Sequence, residues 1–139
     1  MKIEKMERVE CFRQKISGYR KIRGRITYIS PEGNVVMYSK PKTIHRDGKV
    51  AFISMTLGIF RSNIKEYHVS KVSVVIDCCV INTIFSIPAD RFKEILDGSN
   101  VYKIKNSEQC KMYIRKIEDK FYIKPIGKEK IDITEYMIC

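Results

Sequence analysis

Hydrophobic positions are densest in the middle of the chain, in the run Val72–Ile87. Apolar residues there occupy both alternating positions of an extended chain, and many of them are β-branched. β-branched side chains favour strands, and apolar residues at both parities are typical of a strand that is buried on both faces. Because the run is longer than a usual strand, it predicts two central strands with a break near Asp77 or Asn82. The residues expected to be nearly fully buried are Val74, Ile76, Ile84, Phe85 and Ile87.

Two helices are predicted, one at the N-terminus and one after the central run. Near the N-terminus apolar residues recur every three or four positions up to Ser17-Gly18, which is typical of one buried helix face. The second helix is predicted near residues 88–97, because Pro88 suits a first helical position and Gly98 suits the position after a helix. The residues of the N-terminal apolar face are Ile3, Met6, Val9, Phe12, Ile16 and Tyr19.

Shorter alternating stretches predict further strands, with turn residues between them. Ser30–Asn34 and Asp47-Gly48 carry the Pro, Gly and Asp residues that tight turns favour. After Gly58, residues 59–67 fit a short helix or an ordered loop, and Ile131–Cys139 fits an edge strand. The predicted strands are Ile26–Ile29, Val35–Tyr38, Val50–Leu57, Val101–Lys105, Met112–Ile117 and Phe121–Ile126.

Together these elements predict a single α+β domain over residues 1–139. Its mixed β-sheet is flanked by the N-terminal helix and by the second helix near residues 88–97. A chain of 139 residues with 44% hydrophobic residues is long enough to bury its own core. No apolar run is long enough to span a membrane, and Glu4, Glu7 and Glu10 lie where a secretory signal needs apolar residues. We therefore expect a cytoplasmic protein without a membrane partner.

The chain has five cysteines, an odd number, and none of them forms a CxxC pair. Their spacing matches no zinc-ligand pattern, and small buried thiols are common in a reducing compartment. We therefore expect no disulfide, no bound metal and no cofactor. The cysteines are Cys11, Cys78, Cys79, Cys110 and Cys139.

The strongest functional indication is charge, since the net charge is +11 and the pI is about 9.5. Between residues 13 and 49 there are ten lysines and arginines, and Glu32 and Asp47 are the only acids. Arginine forks suit phosphate oxygens, and Tyr19 and Tyr28 lie beside the basic segment, where a tyrosine ring can stack on a base. The predicted partner is therefore nucleic acid, DNA or RNA, with DNA favoured, and a homodimer is an open alternative for the assembly. The predicted nucleic-acid-binding residues are Arg13, Lys15, Arg20, Lys21, Arg23, Arg25, Lys40, Lys42, Arg46 and Lys49.

The basic residues near the C-terminus are expected to contribute less. Lys124, Lys128 and Lys130 have the acids Glu129 and Asp132 among them in the sequence. Nearby carboxylates repel phosphate, so we expect replacement of these three lysines to weaken binding less than replacement of the residues in the N-terminal segment.

No catalytic motif is present in the sequence. His45 and His68 are far apart and lie in no known pattern, and neither a nucleophile elbow, a zinc-protease helix nor a P-loop occurs. We therefore predict no catalytic residues, and each histidine is expected on the surface or in a loop.

The order of elements resembles the core of PD-(D/E)XK nucleases, including Holliday-junction-resolvase-like proteins. The likeness covers about residues 3–97: a leading helix, the turn Asp47-Gly48-Lys49, the strand Val50–Thr56, the strand Val72–Cys78, and the step Ile84–Ala89 into a helix. The resemblance implies clustered carboxylates and a lysine that hold Mg²⁺ and activate water. The strand that should carry an acid-x-Lys tripeptide here reads Phe-Ile-Ser-Met-Thr, without an acid or a lysine. A nuclease-like fold that serves binding alone is therefore the preferred interpretation.

Two alternatives remain open at this point. The first is a Mg²⁺-dependent endonuclease that uses dispersed carboxylates from the set Glu7, Glu10, Asp47 and Asp77. The second is a protein-interaction subunit whose basic surface meets an acidic partner.

Overall fold

The computed structural model describes Glu10, Gln14 and residues 18–22, 27–41, 50–78 and 83–138, with the backbone alone at residues 50–52. In this part the chain forms ten strands and two α-helices, and the fold is α+β, as the sequence predicted. The helices are α1 (Leu57–Glu66) and α2 (Ala89–Leu96), and short 3-10 helices lie at Val69–Lys71 and Thr134–Tyr136. The strands are β1 (Arg20–Lys21), β2 (Thr27–Ile29), β3 (Val35–Ser39), β4 (Val50–Thr56), β5 (Val72–Cys78), β6 (Thr83–Pro88), β7 (Tyr102–Ile104), β8 (Ser107–Ile117), β9 (Lys120–Pro125) and β10 (Ile131–Asp132).

The strands divide between two five-stranded sheets, where the sequence suggested one mixed sheet. The first sheet has the order β1-β2-β3-β5-β6 and is mixed, because β3 and β5 are parallel while the other pairs are antiparallel. The second sheet has the order β10-β9-β8-β4, with β7 paired to one end of β8, and is antiparallel throughout. Alternation in sequence identifies a strand but not its partner, so the division into two sheets was not visible there.

One hydrophobic core joins the inner faces of the two sheets and the buried sides of both helices. Phe60 of α1 and Phe92 of α2 meet edge to face in this core, with ring centroids 5.6 Å apart. A smaller cluster lies on the other face of the first sheet, where Val75 and Ile84 pack with Val36. The predicted burial of the central run is confirmed, since all five residues named for it are 0% exposed.

The strand β6 lies at the end of the first sheet, so the expected central position of Ile84 is wrong. Ile84 is nevertheless buried, and the C-terminal segment covers its edge of the sheet. Met137 forms an isolated antiparallel β-bridge with Phe85, and the Ile138 N–H donates to the Ile84 carbonyl at 2.9 Å. The same segment supplies the predicted edge strand as β10, which pairs with β9. The C-terminus therefore contacts both sheets.

Helix α1 begins at the residue where the preceding strand was predicted to end, so that strand is one residue shorter than predicted. Leu57 was predicted to end that strand, but it is the first helical residue, and Gly58 is exposed within the first turn. The physical reason is the spacing of the buried residues Leu57, Phe60 and Asn63, which places all three on one helical face. Helix α2 lies where it was predicted, with Gly98 beyond its end at φ +84°, but Pro88 is the last residue of β6 and the N-cap rather than the first helical residue.

Several predictions concern residues outside the described part. Glu10 and Gln14 have helical backbone, but most of the predicted N-terminal helix and the Asp47-Gly48 turn lie outside the described residues. Cys78 and Cys110 are buried, and the other three cysteines also lie outside. Among the described residues, neither helix has the length and apolarity needed to traverse a bilayer.

Candidate nucleic-acid interface

Three of the ten predicted nucleic-acid-binding residues lie in the described part of the structure. Arg20 and Lys21 are exposed on β1, and Lys40 is exposed directly after β3. The predicted residues that lie outside the described part are Arg13, Lys15, Arg23, Arg25, Lys42, Arg46 and Lys49.

The described members of this set are not brought together. Arg20 pairs with Ile29, which pairs with Val35 at the start of β3. Lys40 follows the end of the same strand, five positions later, so it lies about 16 Å further along the sheet at roughly 3.3 Å per residue. The arginine and the lysine are therefore at opposite ends of the first sheet and cannot contact one phosphate together.

The tyrosines beside the basic segment pack against the first sheet. Tyr19, Tyr28 and Tyr38 pack against the smaller hydrophobic cluster of the first sheet. Tyr28 and Tyr38 meet edge to face at 6.0 Å, and the Lys21 ammonium lies 5.9 Å from the Tyr28 centroid. The expected stacking role of Tyr19 and Tyr28 therefore competes with their packing in the fold.

The carboxylates considered for a metal site are not gathered in the described residues. Glu10 is exposed, whereas Asp77 is fully buried and accepts a hydrogen bond from the Tyr38 hydroxyl. Among the described residues no group of three His, Cys, Asp or Glu side chains is placed to hold a metal ion. His68 is exposed, as expected, and its ring nitrogen accepts from the Ser70 N–H at 3.4 Å, before a 3-10 helix.

A different basic surface is formed by the outer face of the second sheet. Alternate residues of β8 point to opposite faces, so Cys110, Met112 and Ile114 enter the core. The residues between and beside them face outward, and the same alternation holds on β9. We call this outward surface the tyrosine face. It comprises Tyr102, Lys111, Tyr113, Arg115, Lys120, Tyr122, Lys124 and Lys130.

Tyrosines and cations alternate across the tyrosine face because of the strand register. Tyr113 lies opposite Lys124, and Arg115 lies opposite Tyr122. Directly opposed side chains on one sheet face have Cβ atoms about 4.5–5.5 Å apart. Each of these rings is only partly covered, so the face offers aromatic surface and positive charge side by side.

Two more lysines lie directly over tyrosine rings. The Lys111 ammonium is 4.9 Å from the Tyr102 centroid, and the Lys130 ammonium is 5.5 Å from the Tyr122 centroid. Between Tyr113 and Tyr122 the surface has a depression of about 260 Å³. Its lining is basic and aromatic with one acid, and consists of Tyr113, Arg115, Ile117, Tyr122, Lys124, Glu129 and Lys130.

The tyrosine face carries five cations, and the carboxylates near it are Glu129, Asp132 and, in the turn between β8 and β9, Glu118 and Asp119. Asp132 is engaged locally: its carboxylate accepts from the Thr134 N–H at 2.9 Å and lies 4.0 Å from the Lys120 ammonium. The hydrogen bonds from the Thr134 hydroxyl and N–H, and the nearby Lys120, hold the pKa of Asp132 below its ordinary value. Asp132 therefore stays ionised at neutral pH and offsets part of the charge of Lys120.

The three C-terminal lysines that the sequence grouped together have different positions. Lys130 lies over a ring of the tyrosine face, and the Lys124 ammonium donates to the Lys128 carbonyl. Lys128 instead donates to the carbonyls of Glu94 and Ile95 at 2.8 and 3.0 Å, near the end of α2. A lysine there satisfies terminal carbonyls and complements the helix dipole. Lys128 therefore stabilises the fold, while Lys124 and Lys130 belong to the candidate interface.

A second cavity, of about 420 Å³, lies between the two helices. Leu57, Phe60 and Leu96 form part of its apolar floor, and Arg61 on its rim pairs with Glu108 at 3.4 Å. Every buried side-chain polar atom in the described residues has a hydrogen-bond partner, so no orphaned group marks a ligand in this cavity. The tyrosine face is the stronger candidate site.

The sequence contains a signal for the tyrosine face that differs from the run of basic residues at positions 13–49. In β8 every second residue from Lys111 to Arg115 is basic or tyrosine, while the residues between them are apolar. That period of two predicts one basic and aromatic face on a strand. The acids near Lys124 and Lys130 in sequence obscured this face, because residues that are close in sequence need not be close on the folded surface.

Comparisons of this chain with protein-family models, with curated proteins and with solved structures found no match.

Proposed function

We propose that this protein binds nucleic acid through the tyrosine face. The observation that carries the proposal is the alternation of Tyr113 and Tyr122 with Lys111, Arg115 and Lys124 on one open sheet face. Lysine and arginine bind phosphates and release counterions, while tyrosine rings stack on bases. A surface with both groups side by side matches both parts of a nucleotide.

The N-terminal basic segment has a secondary role in this proposal. Arg20 and Lys21 lie on the other sheet, so they do not extend the tyrosine face. With a net charge of +11, such residues contribute to long-range attraction of a polyanion. The order of importance is therefore the reverse of the one predicted from sequence.

An acidic protein partner is the first alternative. Charge alone suits an acidic protein and a phosphate backbone equally well. Three partly exposed tyrosine rings next to the cations favour a partner that has flat aromatic groups as well as negative charge. Nucleic acid has both groups in every repeat, which is why we prefer it.

A metal-dependent nuclease is the second alternative. Such an enzyme needs carboxylates around Mg²⁺. Asp77, the buried member of the dispersed set, accepts from Tyr38. The resemblance to PD-(D/E)XK nucleases stays a hypothesis about ancestry, and we propose binding without cleavage.

The test is the salt dependence of binding to a labelled oligonucleotide, measured by fluorescence anisotropy. If four phosphates are neutralised, the log–log slope should be about −3 for a single strand, from roughly 0.7 per phosphate. The triple variant Lys111→Gln, Arg115→Gln and Lys130→Gln should flatten that slope by about 2.

A matched control removes the same charge from another part of the surface. Lys65, Lys71 and Lys93 are exposed and lie on or beside the helices, behind the second sheet. The triple variant Lys65→Gln, Lys71→Gln and Lys93→Gln should leave the slope nearly unchanged. Equal loss in both triple variants would show that total charge governs binding, and would contradict the proposal.

A further inference from the structure

We infer that the tyrosine face, given the proposed function on which this site rests, takes a single strand rather than a duplex. Bases would stack on Tyr102, Tyr113 and Tyr122, while the neighbouring cations hold the backbone phosphates. The alternation of rings and cations on the face, with ring surface partly open to solvent, is the basis for this assignment.

The shape of the face favours a single strand. A duplex hides the flat surfaces of its bases, and its major groove admits a protruding helix or a two-stranded ribbon. Tyr113 lies on β8, which has β4 on one side and β9 on the other, so its ring is set within a broad sheet surface. A ring in that position can meet the flat surface of a base only when the base is unpaired.

The spacing of the rings gives a path along the sheet. Tyr102 lies opposite Gln109, and Tyr122 lies opposite Arg115, so six positions of β8 separate the two rings. At about 3.4 Å per residue this is roughly 20 Å. Tyr113 lies between them and is the diagonal neighbour of Tyr122, at a separation of about 7–8 Å or slightly less. The three rings therefore lie along one path that suits bases of one extended strand, with a wider gap between Tyr102 and Tyr113 than between Tyr113 and Tyr122.

The lysines above the rings move when a base arrives. The ammonium groups of Lys111 and Lys130 lie over Tyr102 and Tyr122. An exposed contact between a lysine and a ring is weaker than a base stacked on a tyrosine, so the base displaces the ammonium. Each lysine has a long flexible stem that lets its ammonium group leave the ring and reach a neighbouring phosphate. It then pairs with a phosphate instead of the ring.

Binding of this kind tolerates many sequences. Every base has a flat aromatic surface, and stacking on it carries little information about the base. Among the polar residues beside the rings, the Gln109 amide oxygen already accepts a hydrogen bond from the Ser54 hydroxyl. We expect similar affinities for different single-stranded sequences of equal length.

The experiment compares a labelled oligothymidylate of about 12 nucleotides with a hairpin duplex of about the same length, a length within known site sizes. The variants are Tyr113→Leu and Tyr122→Leu, which remove the ring, and Tyr113→Phe and Tyr122→Phe, which keep it. Each leucine variant should bind the strand at least about fivefold more weakly, and each phenylalanine variant should stay within about twofold of the unmodified protein. Circular dichroism spectra identify any variant that fails to fold, and the phenylalanine variants provide the comparison at the same position.

The outcomes separate this inference from the proposed function. The single-strand inference would be overturned if the protein bound the duplex as tightly as the strand. It would also be overturned if the leucine and phenylalanine variants bound the strand with equal affinity. Nucleic-acid binding through the tyrosine face would still stand in that case if the triple variant of Lys111, Arg115 and Lys130 reduced the salt dependence of binding. No binding of either probe at low salt would overturn both.

Discussion

A buried hydrogen bond between α1 and the first sheet gives the sharpest test of the fold. Asn63 and Thr27 are both 0% exposed, and the Asn63 side-chain N–H donates to the Thr27 hydroxyl at 2.8 Å. The bond joins helix α1 to strand β2 across the core. Replacing Thr27 with valine keeps nearly the same volume and removes the acceptor, so it should create little cavity.

The expected cost of Thr27→Val follows from the group left behind. A buried donor that loses its partner costs about 1–3 kcal/mol, because the amide gave up water when the protein folded. For a chain of this size each kcal/mol corresponds to a change in Tm of about 3–5 °C, between the ranges for smaller and larger domains. We therefore expect Thr27→Val to lower Tm by about 3–15 °C.

The measurement is urea and thermal unfolding followed by circular dichroism, since the chain has no tryptophan. The control is Thr56→Val, because Thr56 is partly exposed and its hydroxyl makes no capping bond to α1. It should change stability by no more than about 0.5 kcal/mol. In the background of Asn63→Leu, the Thr27→Val change should cost less than it does alone, because the donor is gone. A Thr27→Val effect as small as that of the control would refute the reasoning.

Three further predictions concern single positions. Gly127→Ala should destabilise the protein more than Gly33→Ala. Both glycines have positive φ, at +92° and +87°, but only at Gly127 would an added Cβ approach the Asn100 amide oxygen, at 2.4 Å. Urea unfolding of both variants measures the difference, and equal losses of stability would contradict the close contact. Ile84→Ala should cost about 2–5 kcal/mol by the same assay, and a mild effect would show that this edge is poorly packed. Asp132, whose folded pKa is lowered by its hydrogen bonds, should contribute stability above the unfolded pKa of a carboxyl and lose it as pH falls through the lower folded value. Asp132→Asn should remove that part of the pH dependence, and an unchanged pH profile would contradict the assignment.

The central elements were predictable because their pattern is local. The run Val72–Ile87 is apolar at both parities, and Pro88 and Gly98 bracket the helix that follows. These features depend on neighbours in sequence, and in the described residues they form β5, β6 and α2. The start of α1 depends instead on whether Leu57 is buried as the last residue of a strand or as the first residue of a helix. The strand pattern immediately before it hid the change from a period of two to a period of about 3.6 residues.

The candidate site was predictable only in part. Overall charge is a property of the sequence, and it gave the partner class that we propose. The position of the site depends on pairing between β8 and β9, which places Tyr113 beside Lys124 although they are eleven residues apart. Sequence proximity favoured the N-terminal segment, where the described residues Arg20 and Lys40 are separated by the length of a strand.

Photocrosslinking tests binding through the tyrosine face at the level of single residues, because it reports which side chains contact the bound strand. A single-stranded oligonucleotide that carries a photoreactive pyrimidine is irradiated with the full-length protein, and mass spectrometry locates the crosslinked residues. We expect crosslinks at Tyr113 and Tyr122 that disappear at high salt, where phosphate contacts are lost. Crosslinks confined to residues 13–49 would place the interface on the N-terminal basic segment and contradict binding through the tyrosine face.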